Sequence, residues 1–570
     1  MNPRTHRPGR RSALLMVVAF LVAAVSAAPH QQADALLAYQ RISGEGSSWA
    51  ANALEAMRVN VQSNKGMVVD YNPSGSSAGR KNFLNGTVDF AASDIPFQFS
   101  PEDGSAAEKP APDSYAYIPV VAGGTSFMYN LKINGKRVTN LRLSGENVVK
   151  IFTGKIKMWN DAAIQADNPG IVMPARAVVP VVRSDGSGSS AQFTKWMITQ
   201  YPALWTEYCN TSGRAPACGF TSFYPTITGM IAQSGDLGVA GYISQGFAEG
   251  AIGYVNYSYA LGSAFPVAKV LNAAGYYTEP TPKNVAVSLL KAQINTDASD
   301  PAEYLTQKLE GVYTDTDPRN YQLSSYSYLI VPTKVAGQFN EAKGKTLGDF
   351  AYYAMCEAQQ QSESLGYSPM PINLVQASFD QIMKIPGVVA REVDISACNN
   401  PTFSANGTNT LATKAPQPQA CDKKGYASQC PNGTGGMSNV QTAVKAVATT
   451  GGGSTVTTVK AGGTKPPAGS ATGDTGPVGT DTGTVDTVPT GDGTGDQVCD
   501  PTVSDCSGGG GSSQDGPSAA EVGAISPSTL DQASGWTVST ALLLLVIGLT
   551  LVLILAPALV WRHLANRGNE

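Results

Sequence analysis

Between about Gly435 and Gly535 the chain is written in Gly, Thr, Ser, Pro and Asp, as in TGDTGPVGTDTGTVDTVPTGDGTGD and SGGGGSS, with very few large apolar residues. Such a segment buries too little surface to offset chain entropy, so any core must be built from what precedes it. As a flexible coil of ~100 residues it would span ~55 Å, the reach of a tether. Upstream, from about Gln40 to Cys398, short β-like runs alternate with helical patterns over a length sufficient for two α/β lobes. A cysteine-containing extension, 399–434, joins the two regions.

The ends carry their own signals. Basic residues through Arg11, an apolar run from Ala13 to Val25 and small residues at Ala27 and Ala28 read as a secretory signal over 1–28. Val538 to Val560 is almost uninterrupted apolar sequence between Trp536 and Trp561, followed by Arg562, His563 and Arg567. That pattern predicts a transmembrane helix over 537–561 and a cytoplasmic tail over 562–570, leaving the bulk of the chain extracellular at the cell membrane.

All eight cysteines (209, 218, 356, 398, 421, 430, 499 and 506) lie between signal and anchor, where an even count favours disulfides. Cys209 with Cys218, Cys421 with Cys430 and Cys499 with Cys506 would close short loops and leave Cys356 and Cys398, although spacing alone leaves the pairing open. The three histidines are His6, His30 and His563, so the globular region has no imidazole for a Ser-His-Asp site, a Cys-His site or a His-rich zinc site. A formal charge of -4 argues against a nucleic-acid surface.

Strands are expected at 66–71, 86–97, 250–260 and 325–333, a strand pair interrupted by Gly123 and Gly124 at 117–131, and a helix at 347–361. Helices between strands imply a mostly parallel sheet, with ligands held at strand ends beside helix N-termini. Three passages lead from Gly and Ser into a helix: SGEGSSWAANALEAM (43–57), PSGSSAGRKNFL (73–84) and SDGSGSSAQFTKWM (184–197). Each exposes unpaired N–H groups and a partial positive charge suited to an anion, although Ser and Gly are also ordinary capping residues. Arg183, at the head of the third, adds a fixed cation. No G-K-[ST] follows any of them, so a nucleotide phosphate loop is not indicated.

In order, GEGSSW, YNPSGSSAGRKNFLNGTVDFAASDIP, IPVVAGGTSFMYNL, LSGENVVKIFTGKIKMWND, VVRSDGSGSSAQFTKWM and GAIGYVNYSYA resemble the phosphate-binding proteins (PstS family) of the bacterial phosphate ABC importer, over Ile42 to Val388. The resemblance implies an α/β, two-lobed type II periplasmic-binding-protein fold: lobe 1 from 36–118 and 322–398, lobe 2 from 119–321, with crossovers near Pro119 and Tyr321. It implies inorganic phosphate bound by Ser48, Ser76, Ser77, Asp94, Arg183, Ser187, Gly188 and Ser189, with Asp185 bracing the arginine. It implies an ABC permease in the same membrane as partner, and neither catalysis, metal nor cofactor.

The chemistry of the residues agrees with that expectation. Near neutral pH phosphate carries a proton that Asp94 can accept, whereas sulfate would set a second unpaired anion against a buried carboxylate. Two alternatives remain open at this level: a phosphohydrolase using Asp94, Asp185 and Glu45 around a divalent metal, and a surface sensor or adhesion module on the same fold. Trp49, Trp159 and Trp196 are expected to pack, and Lys155 and Lys157 to face solvent.

Overall fold

Strand β1 (Ile42–Gly46) feeds helix α1 (Ala51–Lys65), whose Ala53, Leu54, Met57 and Val61 fall at helical spacing and are buried. The helix stops at Gly66, left-handed at φ 68°, whose N–H bonds back to the Gln62 carbonyl at 3.2 Å. Strand β2 (Val69–Asn72), helix α2 (Ser76–Leu84) and strand β3 (Phe90–Ser93) complete the first wing, with β1 parallel to both β2 and β3. The protein is described by a computed structural model over residues 39–300, 303–391, 395–398, 400–404 and 408–445. The signal, the transmembrane segment, its tail and Cys499 and Cys506 lie outside the described residues. Among the described residues no helix is long and apolar enough to cross a membrane.

Strand β4 (Tyr115–Tyr129) is buried along its whole length. The remaining strands of the main sheet are β5 (Val179–Arg183), β6 (Ile231–Gln233), β7 (Ala251–Asn256) and β8 (Ser324–Pro332), giving the order β2-β1-β3-β8-β4-β7-β5-β6. The outer strands run parallel within each wing, and the central β8 and β4 pair antiparallel to their neighbours. Tyr115 to Gly124 of β4 pair with β8, and Thr125 to Tyr129 pair with β7. One strand therefore belongs to both wings, which is the two-crossover arrangement of an α/β type II periplasmic-binding-protein fold. The change of partner falls at Gly124 and Thr125 rather than at Pro119.

Gly123 and Gly124 do not split this strand into a pair. They are interior residues of one continuous strand, and their role is close approach. A β-carbon on Gly123 would stand 2.8 Å from the Trp49 ring, and one on Gly124 would stand 2.2 Å from the Pro280 side chain. The 250–260 run likewise ends as a strand at Asn256, whose side chain accepts from the Ser258 N–H at 2.9 Å and starts the helix Tyr257–Gly262. Two further helices border the cleft between the wings: α3 (Gly188–Gln200) after β5 and α4 (Gly235–Ile243) after β6. Helix α5 (Pro282–Leu289) lies in the second wing, and α6 (Glu341–Met355), continued by a 3-10 turn at Glu357–Gln361, in the first.

Three disulfides close among the described residues: Cys209–Cys218, Cys356–Cys398 and Cys421–Cys430. After Cys398 the extension passes from the first wing onto the second. Asn400 donates to the Met370 carbonyl at 2.9 Å, then Arg142 and Asn140 donate to the carbonyls of Cys421 and Cys430, and Lys269 pairs with Asp422 at 2.8 Å. Residues 435–445, which composition assigned to the linker, continue this packing. Thr139 is bonded to Thr442, and the Lys445 N–H reaches the Gly170 carbonyl at 2.9 Å. Small polar residues hold here because buried backbone groups of the second wing need partners, a requirement that composition does not report.

Candidate oxyanion site

Ser47 and Ser48 occupy the turn between β1 and α1. Three tyrosine hydroxyls fix the carbonyls of this turn: Tyr71 donates to Ser47 at 2.8 Å, Tyr259 to Ser48 at 2.7 Å and Tyr367 to Trp49 at 2.7 Å. The second turn begins at Gly75, the residue before α2, at φ 100°, a conformation side chains avoid. A β-carbon there would also stand 2.4 Å from Asp185 Oδ2 of the opposite wing. Ser76 opens the helix and is buried, with Ser77 half-buried beside it.

Asp94 follows β3 and is buried between these turns. Its Oδ1 accepts from the Ser47 hydroxyl at 2.6 Å and its Oδ2 from the Ser76 hydroxyl at 3.3 Å. Burial pushes the carboxyl up to about 6, against the downward pull of the Ser47 bond. Its backbone carbonyl is held by Gln192 of α3 at 2.9 Å, a bond between wings.

From the second wing, β5 ends at Arg183, whose side chain is buried. Asp185 grips the guanidinium in a fork: Nε to Oδ1 at 2.8 Å, and Nη2 to Oδ2. Nη1 reaches Ser189 Oγ at 3.2 Å and also pairs with Asp236. Burial alone would lower the guanidinium's pKa, but Asp236 and Asp185 outweigh it and raise it. Burial alone would raise Asp185, but Arg183 overrides it and holds the carboxyl below its usual range. Ser187 caps α3, accepting from the Ser190 N–H at 3.2 Å, and its hydroxyl lies 2.8 Å from that of Ser189.

Gly188 brings the wings together, since a β-carbon on it would stand 2.5 Å from Ser76 Oγ and 2.7 Å from Asp94 Oδ2. The Ser77 N–H donates to the Gly186 carbonyl at 2.9 Å. Ser48, Ser76, Ser77, Asp94, Arg183, Ser187, Gly188, Ser189 and Asp185 thus gather where helix starts from the two wings face each other. Glu45 does not join them. Its carboxylate is held by Asn72 and Asn82 at 3.2 and 2.6 Å, and no cluster of three or more His, Cys, Asp or Glu that could hold a metal occurs among the described residues. Trp49, Trp159 and Trp196 are buried in the core, while Lys155 and Lys157 are exposed.

Three contributors escaped sequence reasoning. Ser47, rather than its neighbour, bonds Asp94. Arg80, in the second turn of α2, is buried behind the site, donating to Ser93 Oγ at 2.9 Å and paired with Glu108. Asp236 opens α4 in the fragment QSGDLGVAGY, a fourth Ser-Gly helix start whose pattern matched the other three.

A family model for a PBP superfamily domain matches residues 24–358. The Pasteurella multocida phosphate-binding protein PstS is 30% identical over 339 residues, covering 59% of this chain and 88% of that protein. The Mycobacterium bovis phosphate-binding protein PstS2 is 29% identical over 348 residues, covering 58% and 84%. Among solved structures, the phosphate-binding protein from Stenotrophomonas maltophilia is similar at 19% identity and a TM-score of 0.46, covering 65% of this chain and 99% of that one.

Proposed function

The chain belongs to the PBP superfamily and, within it, to the family of the PstS phosphate-binding proteins, and from that premise we propose that it captures inorganic phosphate between its two wings. The relatives named above are binding proteins, and the ligand is held without a chemical step. The observation that carries this reading is the meeting of Arg183, Ser187, Ser189 and the start of α3 with Ser48, Ser76, Asp94 and the start of α2. Helix starts and hydroxyls supply donors to a tetrahedral oxyanion, and one guanidinium supplies charge. Asp94 supplies the acceptor that a protonated phosphate oxygen can satisfy and sulfate cannot.

In this reading closure is a hinge movement at β4 and β8, stabilised by contacts from both wings to one ion. The apolar 537–561 segment anchors the chain in the cell membrane, the Gly/Thr/Ser/Pro tract lifts the domain outward, and an ABC importer in the same membrane receives the phosphate. Calorimetry of the full-length protein with phosphate, sulfate and arsenate tests it. Tight phosphate binding with sulfate excluded is expected. Absence of phosphate binding overturns the reading, and equal affinity for sulfate removes the role given to Asp94.

A further inference from the structure

Asp236 is fully buried in the first turn of α4 and takes up donors assigned above to the anion. The Ser48 hydroxyl has one proton, and it points to Asp236 Oδ2 at 2.7 Å, while the Asp236 N–H donates back to Ser48 Oγ at 3.0 Å. The same Oδ2 receives Arg183 Nη1, and Oδ1 accepts the Asn256 N–H at 2.7 Å. Of the five N–H groups on Arg183, two are directed at Asp185, one at Asp236 and one at Ser189. An anion that is to be held by Ser48 and Arg183 therefore contends with a carboxylate already on them.

The charges around Asp236 sharpen the conflict. Arg183 from β5 faces it, with Asp185 from the turn that follows, Asp94 from the first wing, and the phenols of Tyr259 and Tyr367. One cation thus stands among three carboxylates. The N-terminus of α4 favours the charged form, but burial prevails and raises the carboxyl above its usual range, so a proton is accommodated here more readily than in water.

Resting on the phosphate reading, we propose that Asp236 is a second proton-accepting carboxylate of the oxyanion site, which competes with the anion for Ser48 and Arg183 and makes capture take up one solvent proton. At alkaline pH the balance is hydrogenphosphate dianion plus one proton plus site giving the complex. That proton is shared between Asp236 Oδ2 and the anion, and only an O–H bond forms. At mildly acidic pH the ligand, already dihydrogenphosphate, brings the proton itself. Asp94 accepts one ligand proton and Asp236 the other, so the species selected is the monoanion.

Calorimetry of full-length wild type and Asp236→Asn with inorganic phosphate, at about pH 8.5 in two buffers of different ionisation enthalpy, tests this. About one proton more is expected to be taken up by the wild type than by the variant. Wild-type affinity should fall roughly tenfold per pH unit above neutral, while that of the variant stays level. Equal proton uptake by the two proteins overturns the proposal while leaving phosphate binding intact. Should the variant fail to fold, wild-type uptake decides alone: one proton supports the proposal and none overturns it. No binding heat at any pH overturns the phosphate reading and this inference with it.

Discussion

The backbone N–H of Ser77, at the start of a helix in one wing, donates to the carbonyl of Gly186 in the other at 2.9 Å. Main chain thus meets main chain across the cleft, which only residues with minimal side chains permit. Gly75 lies against Asp185, Gly186 against Ser77, and Gly188 against Ser76 and Asp94.

A methyl group at the last of these contacts should separate the wings. Gly188→Ala places a β-carbon 2.5 Å from Ser76 Oγ, yet position 188 is an ordinary first-turn helical residue that accepts alanine. Phosphate affinity measured by calorimetry should fall tenfold or more, about 1.4 kcal/mol, with the melting temperature little changed. Unaltered affinity would show that the close approach is dispensable.

Asp94→Asn should erode discrimination against sulfate, read as the ratio of the two dissociation constants. It should also change stability in a defined direction. The folded pKa of Asp94, about 6, lies above its ordinary value. The stabilisation it gives is fully present below the ordinary carboxylate value and is lost as pH rises through about 6. With its side chain buried, the loss is roughly 3 kcal/mol, since each tenfold change in proton affinity is worth ~1.4 kcal/mol. Urea unfolding should therefore find the variant more stable than wild type at about pH 8, with the gap closing below about pH 4. A constant gap would sink the assignment.

Arg183→Ala leaves Asp185 and Asp236 buried without their shared cation. A cost of ~3–5 kcal/mol in urea unfolding is expected, together with loss of binding to every oxyanion. Arg183→Lys keeps the charge and loses the fork on Asp185, so it should recover part of the stability and little of the affinity.

Replacing Cys421 and Cys430 together by Ser opens a loop whose ends both bond to the second wing, through Arg142 and Asn140. A loss of about 2–3 kcal/mol in chemical unfolding is expected from loop closure. Phosphate affinity should change little, because these contacts lie away from Asp94 and Arg183. A large affinity loss with stability unchanged would show that the extension acts on the cleft.

Some of this was legible without coordinates because it depends on local chemistry. Gly-Ser turns before helices announced α1, α2 and α3, and the apolar run at 117–131 announced the central strand. Arg183 and Asp185 form a fork at the strand end, an arrangement that the family resemblance, not their spacing, had implied. The turns and the strand were legible because each rests on dihedral preference and hydrogen bonding within a few residues.

Other features belong to the assembled chain. Asp236 lies 188 positions from Ser48, and no local pattern connects a carboxylate in one wing to a hydroxyl in the other. Gly123 and Gly124 looked like a break and proved to be clearance for Trp49 and Pro280, which arrive from distant segments. Residues 435–445 looked like linker and instead satisfy polar groups of the second wing. By itself the sequence determined the small-residue turns and the cation at the head of one of them, Arg183; tertiary structure decided which donors face which carboxylates. The reason is that burial and pairing are set by whichever groups the fold brings together, and those energies do not exist until the two wings meet.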